Sequence, residues 1–230
     1  DSKYIGYFQA DTNTYAPLDI LKDNYEKILK LDNVIGLNIA TRCDCLPNDV
    51  LDYLEELNKR TNLTIELGLQ TIHETTSKLI NRGHTLKQFE NAVLELRKRN
   101  IDVVVHVING LPYETKEMML ETIKYVSHLD IQGIKIHMLF VLKGTELEKL
   151  YEKEKFHILT REEYIDIVCD ELELLREDIV INRITGDPDK NLVIEPTWLI
   201  KKFGVLNEID KEMERRNSYQ GIKYEDILEN

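Results

Sequence analysis

Five short apolar runs, each followed by a helical pattern, constrain the fold of this chain more than any other feature. The runs are rich in β-branched and aromatic residues and recur about every 30 to 40 residues, the spacing of repeated βα units in a parallel sheet. They cover residues 4–8, 34–39, 63–69, 101–108 and 131–139. Because the runs are nearly continuous rather than alternating, we expect both faces of the sheet to be covered.

Two signals mark the helices between these runs. Apolar residues three or four positions apart form stripes within 50–57 and 86–96, which is typical of helices that face a sheet. Thr145 and Thr160 are each followed three residues later by glutamate, the spacing of a capping box. The helix starts are therefore well marked.

Further elements are predicted in the second half of the chain. Residues 178–183 indicate a sixth strand, and 196–216 an amphipathic terminal helix. Consecutive βα units prefer right-handed crossovers, which leaves an open doubly wound sheet or a closed or partly closed βα barrel. Periodicity alone does not choose between these two folds.

Composition narrows the classes of function. The chain has 230 residues, of which 42% are hydrophobic, enough for one sizeable core. Its 42 acidic and 30 basic residues give a net charge of -12, which disfavours non-specific binding to nucleic acid. Three cysteines without a regular framework argue against a disulfide-stapled secreted domain, so we expect a reducing, cytoplasmic setting. No apolar run or leader predicts a membrane span or a signal peptide.

Polar residues follow all five runs, where an α/β protein places its binding site. Polar loops are ordinary in soluble proteins, but their presence at five strand ends favours a binding rim. These residues are Gln9, Asp11, Thr12, Asn13, Thr41, Arg42, Gln70, Thr71, His106, Asn109, His137 and Lys143.

Glu66 stands out because it lies inside an apolar run, where an unpaired carboxylate is costly to bury. It should meet either a ligand or a structural partner such as Arg82 or Arg42, and the sequence leaves both open. Histidines on strands, here His106 and His137, are more often hydrogen-bonded core residues than catalysts.

Several chemistries lack their sequence signatures. The chain has no phosphate-binding Gly-rich loop, no nucleophile elbow and no dinucleotide-binding turn. It also has no His/Cys cluster with zinc-site spacing, so no metal-ligating residue is predicted. Cys43 and Cys45 form a Cys-x-Cys pair that lacks further ligands and is better interpreted as two loop thiols.

Four segments resemble radical S-adenosylmethionine (SAM) enzymes related to the Elongator catalytic subunit and oxygen-independent coproporphyrinogen oxidase, and among these the YhcC-like family. They are Glu-Leu-Gly-Leu-Gln-Thr at 66–71, Asn-Arg-Gly-His-Thr at 81–85, Asn-Gly-Leu-Pro-Tyr-Glu-Thr at 109–115 and Lys-Gly-Thr-Glu-Leu at 143–147. Further segments at 8–15, 41–47, 135–137 and 182–187 extend the likeness over most of the chain.

This resemblance implies a partial TIM-type (β/α)6 barrel over 1–185, followed by a C-terminal helical extension over 186–230. It implies SAM and a [4Fe-4S] cluster as cofactors, with reductive cleavage of SAM to a 5′-deoxyadenosyl radical that abstracts hydrogen from a substrate. In relatives, the positions matching Gln70 and Arg82 contact SAM. Glu66, His106 and Asn109 match further SAM-contact positions that vary more among relatives.

The cluster of such enzymes is held by three cysteines that precede the segment matching 4–9, and Cys43, Cys45 and Cys169 do not match them. Because the chain lacks a starting Met and enters a strand almost at once, we expect a piece without the first barrel strand and cluster loop, inactive alone. Two alternatives stay open. One is a cluster-independent βα-barrel lyase or hydrolase that uses Glu66 with His106 or His137 as acid and base; the other is a non-catalytic scaffold.

Two partners besides SAM are considered. Kinship with the Elongator subunit raises tRNA as a substrate, although the net charge of -12 argues against a broadly basic RNA-binding face. An exposed strand edge at 4–8 predicts self-association.

Overall fold

The computed structural model describes residues 2–198 and 202–224, which contain eight strands and eight helices. The strands are β1 Tyr4–Phe8, β2 Val34–Thr41, β3 Asn62–Gln70, β4 Asp102–Asn109, β5 Gly133–Met138, β6 Val141–Leu142, β7 Val180–Arg183 and β8 Val193–Glu195. The helices are α1 Leu18–Leu29, α2 Asn48–Asn58, α3 Glu74–Leu79, α4 Leu86–Lys98, α5 Lys116–Ser127, α6 Glu146–Glu154, α7 Arg161–Leu174 and α8 Lys202–Arg215.

Six strands form one sheet in the order β1-β2-β3-β4-β5-β7. The β1–β2 and β2–β3 pairs are parallel, as the βα repeat predicts. The short strands β6 and β8 form a separate antiparallel pair. All six strands expected from the sequence are therefore present, and their ends fall within about two residues of the expected positions.

The chain divides into two compact units. The first, called unit 1, comprises residues 1–69, 84–106 and 130–133. Its core is built from the strand runs and helix stripes identified in the sequence, because these apolar side chains are excluded from water together. The fully buried members include Leu37, Ile39, Leu54, Leu57, Ile65, Leu67, Phe89 and Leu96.

The second, unit 2, comprises residues 70–83, 107–129 and 134–230. Helix α7 contacts both α5 and α8 in this unit. Near the end of α8, Arg216 forms ion pairs with Asp166 and Asp170 of α7, and Lys116 of α5 also pairs with Asp170. Charged side chains thus connect the three helices around α7.

The two predicted capping boxes differ in outcome. At α7, Thr160 accepts from the Glu163 amide, and the Glu163 carboxylate accepts from the Thr160 amide at 2.7 Å, so that box is confirmed. At α6, Thr145 caps the helix, but the Glu148 carboxylate accepts from the Gly144 amide at 2.6 Å. The second half of that prediction is wrong, because the left-handed Gly144 (φ 83°) turns its own N–H toward the helix start.

The sequence did not predict β6, β8 or the six-residue helix α3, since segments of two to six residues carry too few positions for a periodic signal. The terminal helix expected over 196–216 is present as α8, which spans Lys202–Arg215 in the described residues. Residues 199–201 of that expectation lie outside the described residues. Within the described ranges, no helix combines the length and apolarity needed to cross a lipid bilayer.

Strand β1 is the first strand in the sheet order, and it exposes large side chains. Tyr4 is 57% exposed, Ile5 45% and Tyr7 43%. An edge with exposed apolar side chains is a surface on which another strand can pair. Self-association through β1 stays a prediction.

The Thr160 cap gives a stability prediction. We expect Thr160→Ala to lower the free energy of unfolding by about 1 kcal/mol, because the amide of Glu163 loses its side-chain acceptor. Urea denaturation followed by circular dichroism measures this change. Thr160→Ser keeps the hydroxyl and should stay within about 0.5 kcal/mol of wild type; an equal loss in both variants would contradict the role of the cap.

Candidate functional site

The buried carboxylate of Glu66 is held by two side chains of unit 1. Tyr7 in β1 donates from its hydroxyl to Glu66 Oε2 at 2.8 Å, and His106 Nε2 lies 2.8 Å from the same oxygen. Glu66 is 2% exposed, so these contacts replace water around a charge that would otherwise be costly to bury. The His106 contact requires a proton on Nε2 if Glu66 is ionised.

This arrangement bears on the two partners considered for Glu66 in the sequence. Arg42 forms a two-point ion pair with Asp44, at 2.9 and 2.7 Å, and Arg82 contacts Thr71 and Glu74. The structure brings Glu66 together with His106, a pair that the sequence placed on neighbouring strands. Tyr7 was missed, because a tyrosine at an edge strand carries no sign of its distant partner.

In unit 2, Arg82 fixes the turn that follows β3. Its Nη1 donates to the main-chain oxygen of Thr71 at 2.6 Å, and its side chain is 2% exposed. Gln70, the last residue of β3, has a left-handed backbone (φ 67°), which is uncommon outside glycine and asparagine. Two residues expected to contact SAM, Gln70 and Arg82, are therefore connected through Thr71.

The same turn is bound by Glu114, a residue that sequence reasoning did not single out. Thr71 donates from its hydroxyl to Glu114 Oε1 at 2.6 Å, and the amide of His73 donates to the Thr71 hydroxyl at 3.1 Å. Desolvation by burial raises the pKa of Glu114, partly offset by this hydrogen bond. The segment after β4 thereby supports the turn after β3.

Asn109, at the end of β4, is bound to a buried acid. Its Nδ2 donates to Glu171 Oε2 of α7 at 2.9 Å. Burial is the largest cause that raises the pKa of Glu171 to about 8, and the hydrogen bond from Asn109 opposes it. No sequence pattern predicts this contact, because a glutamate in a helix of mixed pattern is indistinguishable from a surface residue.

Other polar strand-end residues form hydrogen bonds within the loops that follow β1 and β2. The Thr14 and Thr41 hydroxyls lie 2.5 Å apart, and the Asn13 amide donates to the carbonyl oxygens of Phe8 and Ala40. These contacts satisfy main-chain and hydroxyl groups near the ends of β1 and β2. For Asn13 and Thr41, these contacts support the structural interpretation of polar loops.

The cysteines do not fit an iron-sulfur cluster. In the described part of the chain, Cys43, Cys45 and Cys169 are thiols outside any disulfide, and burial raises the pKa of Cys169 to about 11, which disfavours the thiolate that binds iron. Within residues 2–198 and 202–224, no group of three or more His, Cys, Asp or Glu side chains is placed to hold a metal ion. Three converging thiolates are required for a [4Fe-4S] cluster that binds SAM.

Comparison with known proteins places this architecture in a family. Residues 1–126 match the model of the Radical SAM superfamily, and 131–215 match that of the Radical_SAM C-terminal domain. The chain is 52% identical over 229 residues to the uncharacterized protein YtqA of Bacillus subtilis, covering 100% of this chain and 71% of that protein. The chain belongs to the radical SAM superfamily.

More distant relatives are consistent with this placement. Protein YhcC of Escherichia coli is 31% identical over 210 residues, covering 91% of this chain and 68% of YhcC. A tRNA uridine(34) acetyltransferase of Methanocaldococcus infernus is 25% identical over 208 residues, covering 86% of this chain and 38% of that enzyme. The YhcC-like resemblance stated from the sequence is confirmed.

A solved structure supports the fold class. The Elp3 protein of Methanocaldococcus infernus superimposes with a TM-score of 0.80 at 19% identity, covering 95% of this chain and 55% of that chain. The chain thus spans about half of that structure. The six-stranded partial βα barrel expected from the sequence is confirmed. Members of this superfamily use SAM and a [4Fe-4S] cluster.

The Glu66 contacts yield a test. We expect Tyr7→Phe to lower the free energy of unfolding by about 1–2 kcal/mol, because the buried carboxylate loses one donor. Urea denaturation at pH 7 measures the change. Tyr4→Phe on the same strand, a more exposed tyrosine, serves as the control and should stay within about 0.5 kcal/mol of wild type. Equal losses would contradict the role of the Tyr7 hydroxyl.

Glu171 predicts a pH dependence of stability. Its pKa rises from 4.5 in the unfolded chain to about 8 in the fold, so the folded state binds the extra proton between these values. The contribution of this proton to the free energy of unfolding is therefore fully present below pH 4.5 and is lost as pH rises toward 8. From pH 5 to pH 8 this loss is on the order of 3 kcal/mol.

The comparison of wild type with Glu171→Gln isolates this contribution. Chemical denaturation from pH 5 to pH 8 should show wild type losing stability relative to the variant as pH rises. A difference that stays constant over this range would contradict the raised pKa.

Proposed function

We propose that this chain binds SAM as part of a radical SAM enzyme, with Gln70 and Arg82 as contacts. Glu66, His106 and Asn109 contribute further contacts in the same proposal. The observation that carries it is the buried guanidinium of Arg82, held by the Thr71 carbonyl directly after Gln70. This geometry keeps the Arg82 guanidinium at the turn that directly follows Gln70, at the end of β3, where an α/β enzyme binds its ligand.

The chemistry of these side chains suits SAM. A carboxylate such as Glu66 accepts hydrogen bonds from ribose hydroxyls, and a guanidinium such as Arg82 donates to an amino-acid carboxylate. The superfamily cleaves SAM reductively, with the electron supplied through a [4Fe-4S] cluster. The residues of this chain bind and orient SAM in our proposal, while the cluster ligands are not Cys43, Cys45 and Cys169.

Calorimetric titration with S-adenosylhomocysteine tests the proposal without any redox step. We expect binding by the wild-type chain and at least tenfold weaker binding by Gln70→Asn, because the shorter amide reaches less far. Asparagine tolerates the left-handed backbone at this position, so the fold should be retained.

Gln132→Asn, which shortens a glutamine that precedes β5 and is not among the strand-end rim residues, is the matched control and should bind like wild type. No heat of binding by wild type at millimolar ligand, or equal affinity in wild type and Gln70→Asn, would overturn the assignment.

The cluster part of the proposal has a separate test. Anaerobic reconstitution of this 230-residue chain with iron and sulfide should give no stable [4Fe-4S] absorbance, because the three thiols offer no converging ligand set. A cluster with four irons per chain would contradict it.

A second candidate is favoured by the Glu66–His106 contact. A carboxylate 2.8 Å from an imidazole nitrogen is an arrangement used for acid-base catalysis, which would make the chain a cluster-independent lyase or hydrolase. Iron-free activity that is lost in Glu66→Gln would support this candidate over the first. A scaffold without catalysis predicts neither activity nor SAM binding.

Three further expectations belong to the proposal. The similarity to a tRNA uridine(34) acetyltransferase makes tRNA a candidate substrate class. The net charge of -12 argues against this candidate, because it disfavours binding to the phosphate backbone. We also propose a barrel over 1–185 with a C-terminal helical extension over 186–230. A cytoplasmic location completes the proposal.

A further inference from the structure

Glu171 is a fully buried acid with an incomplete set of partners. It lies on α7 and is 0% exposed. Its Oε2 accepts from Asn109 Nδ2, while its Oε1 has no hydrogen-bond partner among the described residues. A buried carboxyl with one unsatisfied oxygen is costly, which indicates a role beyond packing.

The main chain of Asn109 is fixed by a hydrogen bond to a neighbouring segment. Its main-chain oxygen accepts from the amide of Leu139 at 2.9 Å, which fixes the backbone at the end of β4. Gly110, with a left-handed φ of 80°, then turns the chain away. Asn109 is also 2% exposed, so rotation of its terminal amide is a change that it can make without moving the backbone.

The protonation state of Glu171 determines what it can offer this amide. A carboxylate only accepts hydrogen bonds, so the Asn109 NH2 group must face it and the amide oxygen points away. A protonated carboxyl carries one O–H, which can donate to the amide oxygen after the amide rotates by half a turn. The group directed away from Glu171 is then the NH2.

We propose that Glu171 is a positioning residue whose hydrogen bond sets whether Asn109 presents its amide oxygen or its NH2 group to an adenosyl ligand. The inference deepens the proposed function and rests on it, since it takes Asn109 as a SAM contact. In one state Asn109 accepts from ligand hydroxyls or amines; in the other it donates to ligand oxygens or ring nitrogens.

The charged surroundings make both states accessible. Asp170 of α7 lies beside Glu171 and disfavours a second negative charge, while Lys116 of α5 and Arg216 after α8 are paired with Asp170. Burial is the dominant cause of the raised Glu171 pKa of about 8. The negative charge of Glu171 in turn contributes to raising the pKa of buried Tyr164 on α7. Between pH 7 and pH 9 the carboxyl therefore changes from mostly protonated to mostly ionised.

Nuclear magnetic resonance of the 230-residue chain tests the positioning directly, without ligand. The side-chain NH2 resonances of Asn109, assigned by their loss in Asn109→Asp, should shift between pH 7 and pH 9 with an apparent pKa of about 8. In Glu171→Gln they should not titrate. Resonances that do not titrate in wild type would overturn the proposal, as would an equal titration in the variant.

Glu173→Gln is the matched control on the same helix. Glu173 is also buried, but it pairs with Lys223 and Arg216. This variant should leave the Asn109 titration unchanged. If the titration were also lost in Glu173→Gln, it would depend on α7 in general, and the specific role of Glu171 would be overturned. Because the wild-type titration does not depend on Glu171→Gln, the proposal can be refuted even if that variant fails to fold.

Binding of S-adenosylhomocysteine at pH 6.5 to 9 tests the consequence for the ligand. Wild-type affinity should change about fivefold or more across this range, as expected for one exchanged hydrogen bond, and the affinity of Glu171→Gln should be flat. Equal pH profiles would overturn the role of Glu171 in ligand binding. Absence of any binding by wild type would instead refute the proposed function, while the Asn109 titration would still report whether Glu171 positions the amide.

Discussion

The cost of burying charged side chains inside a sheet is the constraint on which this structure depends. Glu66 lies in the apolar strand β3, and its carboxylate is stabilised by the Tyr7 hydroxyl and His106. This requirement connects β1, β3 and β4 through side chains as well as through the sheet. Arg82 meets the same constraint in unit 2, where its buried guanidinium binds the Thr71 carbonyl. The polar groups at the strand ends are therefore fixed in advance of any ligand, as precise recognition requires.

Much of the fold could be predicted because its signals are long and repeated. The apolar runs gave β1 to β5 and β7, and stripes such as Phe89 with Leu96 identified the helix faces that are now found buried. Elements such as the two-residue β6 were missed because they have no period to detect. The Glu148 side chain departed from its predicted capping role because the backbone at Gly144 offered a nearer donor.

The candidate site could be predicted less completely, for a physical reason. Strand position identified His106 and Asn109 as polar groups at strand ends and Glu66 as a carboxylate inside an apolar run, while the family resemblance singled out Arg82. The partners of these side chains are not neighbours in sequence. Tyr7 is 59 residues from Glu66, and Glu171 is 62 residues from Asn109. Such contacts depend on how the sheet and helices pack, which a single sequence does not encode as a local pattern. The chain belongs to the radical SAM superfamily, and the structure adds the protein partners that hold these side chains.

A crystal structure of this chain with S-adenosylhomocysteine tests the central claim most directly. Our account predicts ligand density within hydrogen-bond distance of both Gln70 and Arg82, with Arg82 still bound to the Thr71 carbonyl. Density bound elsewhere, with these two side chains untouched, would contradict it.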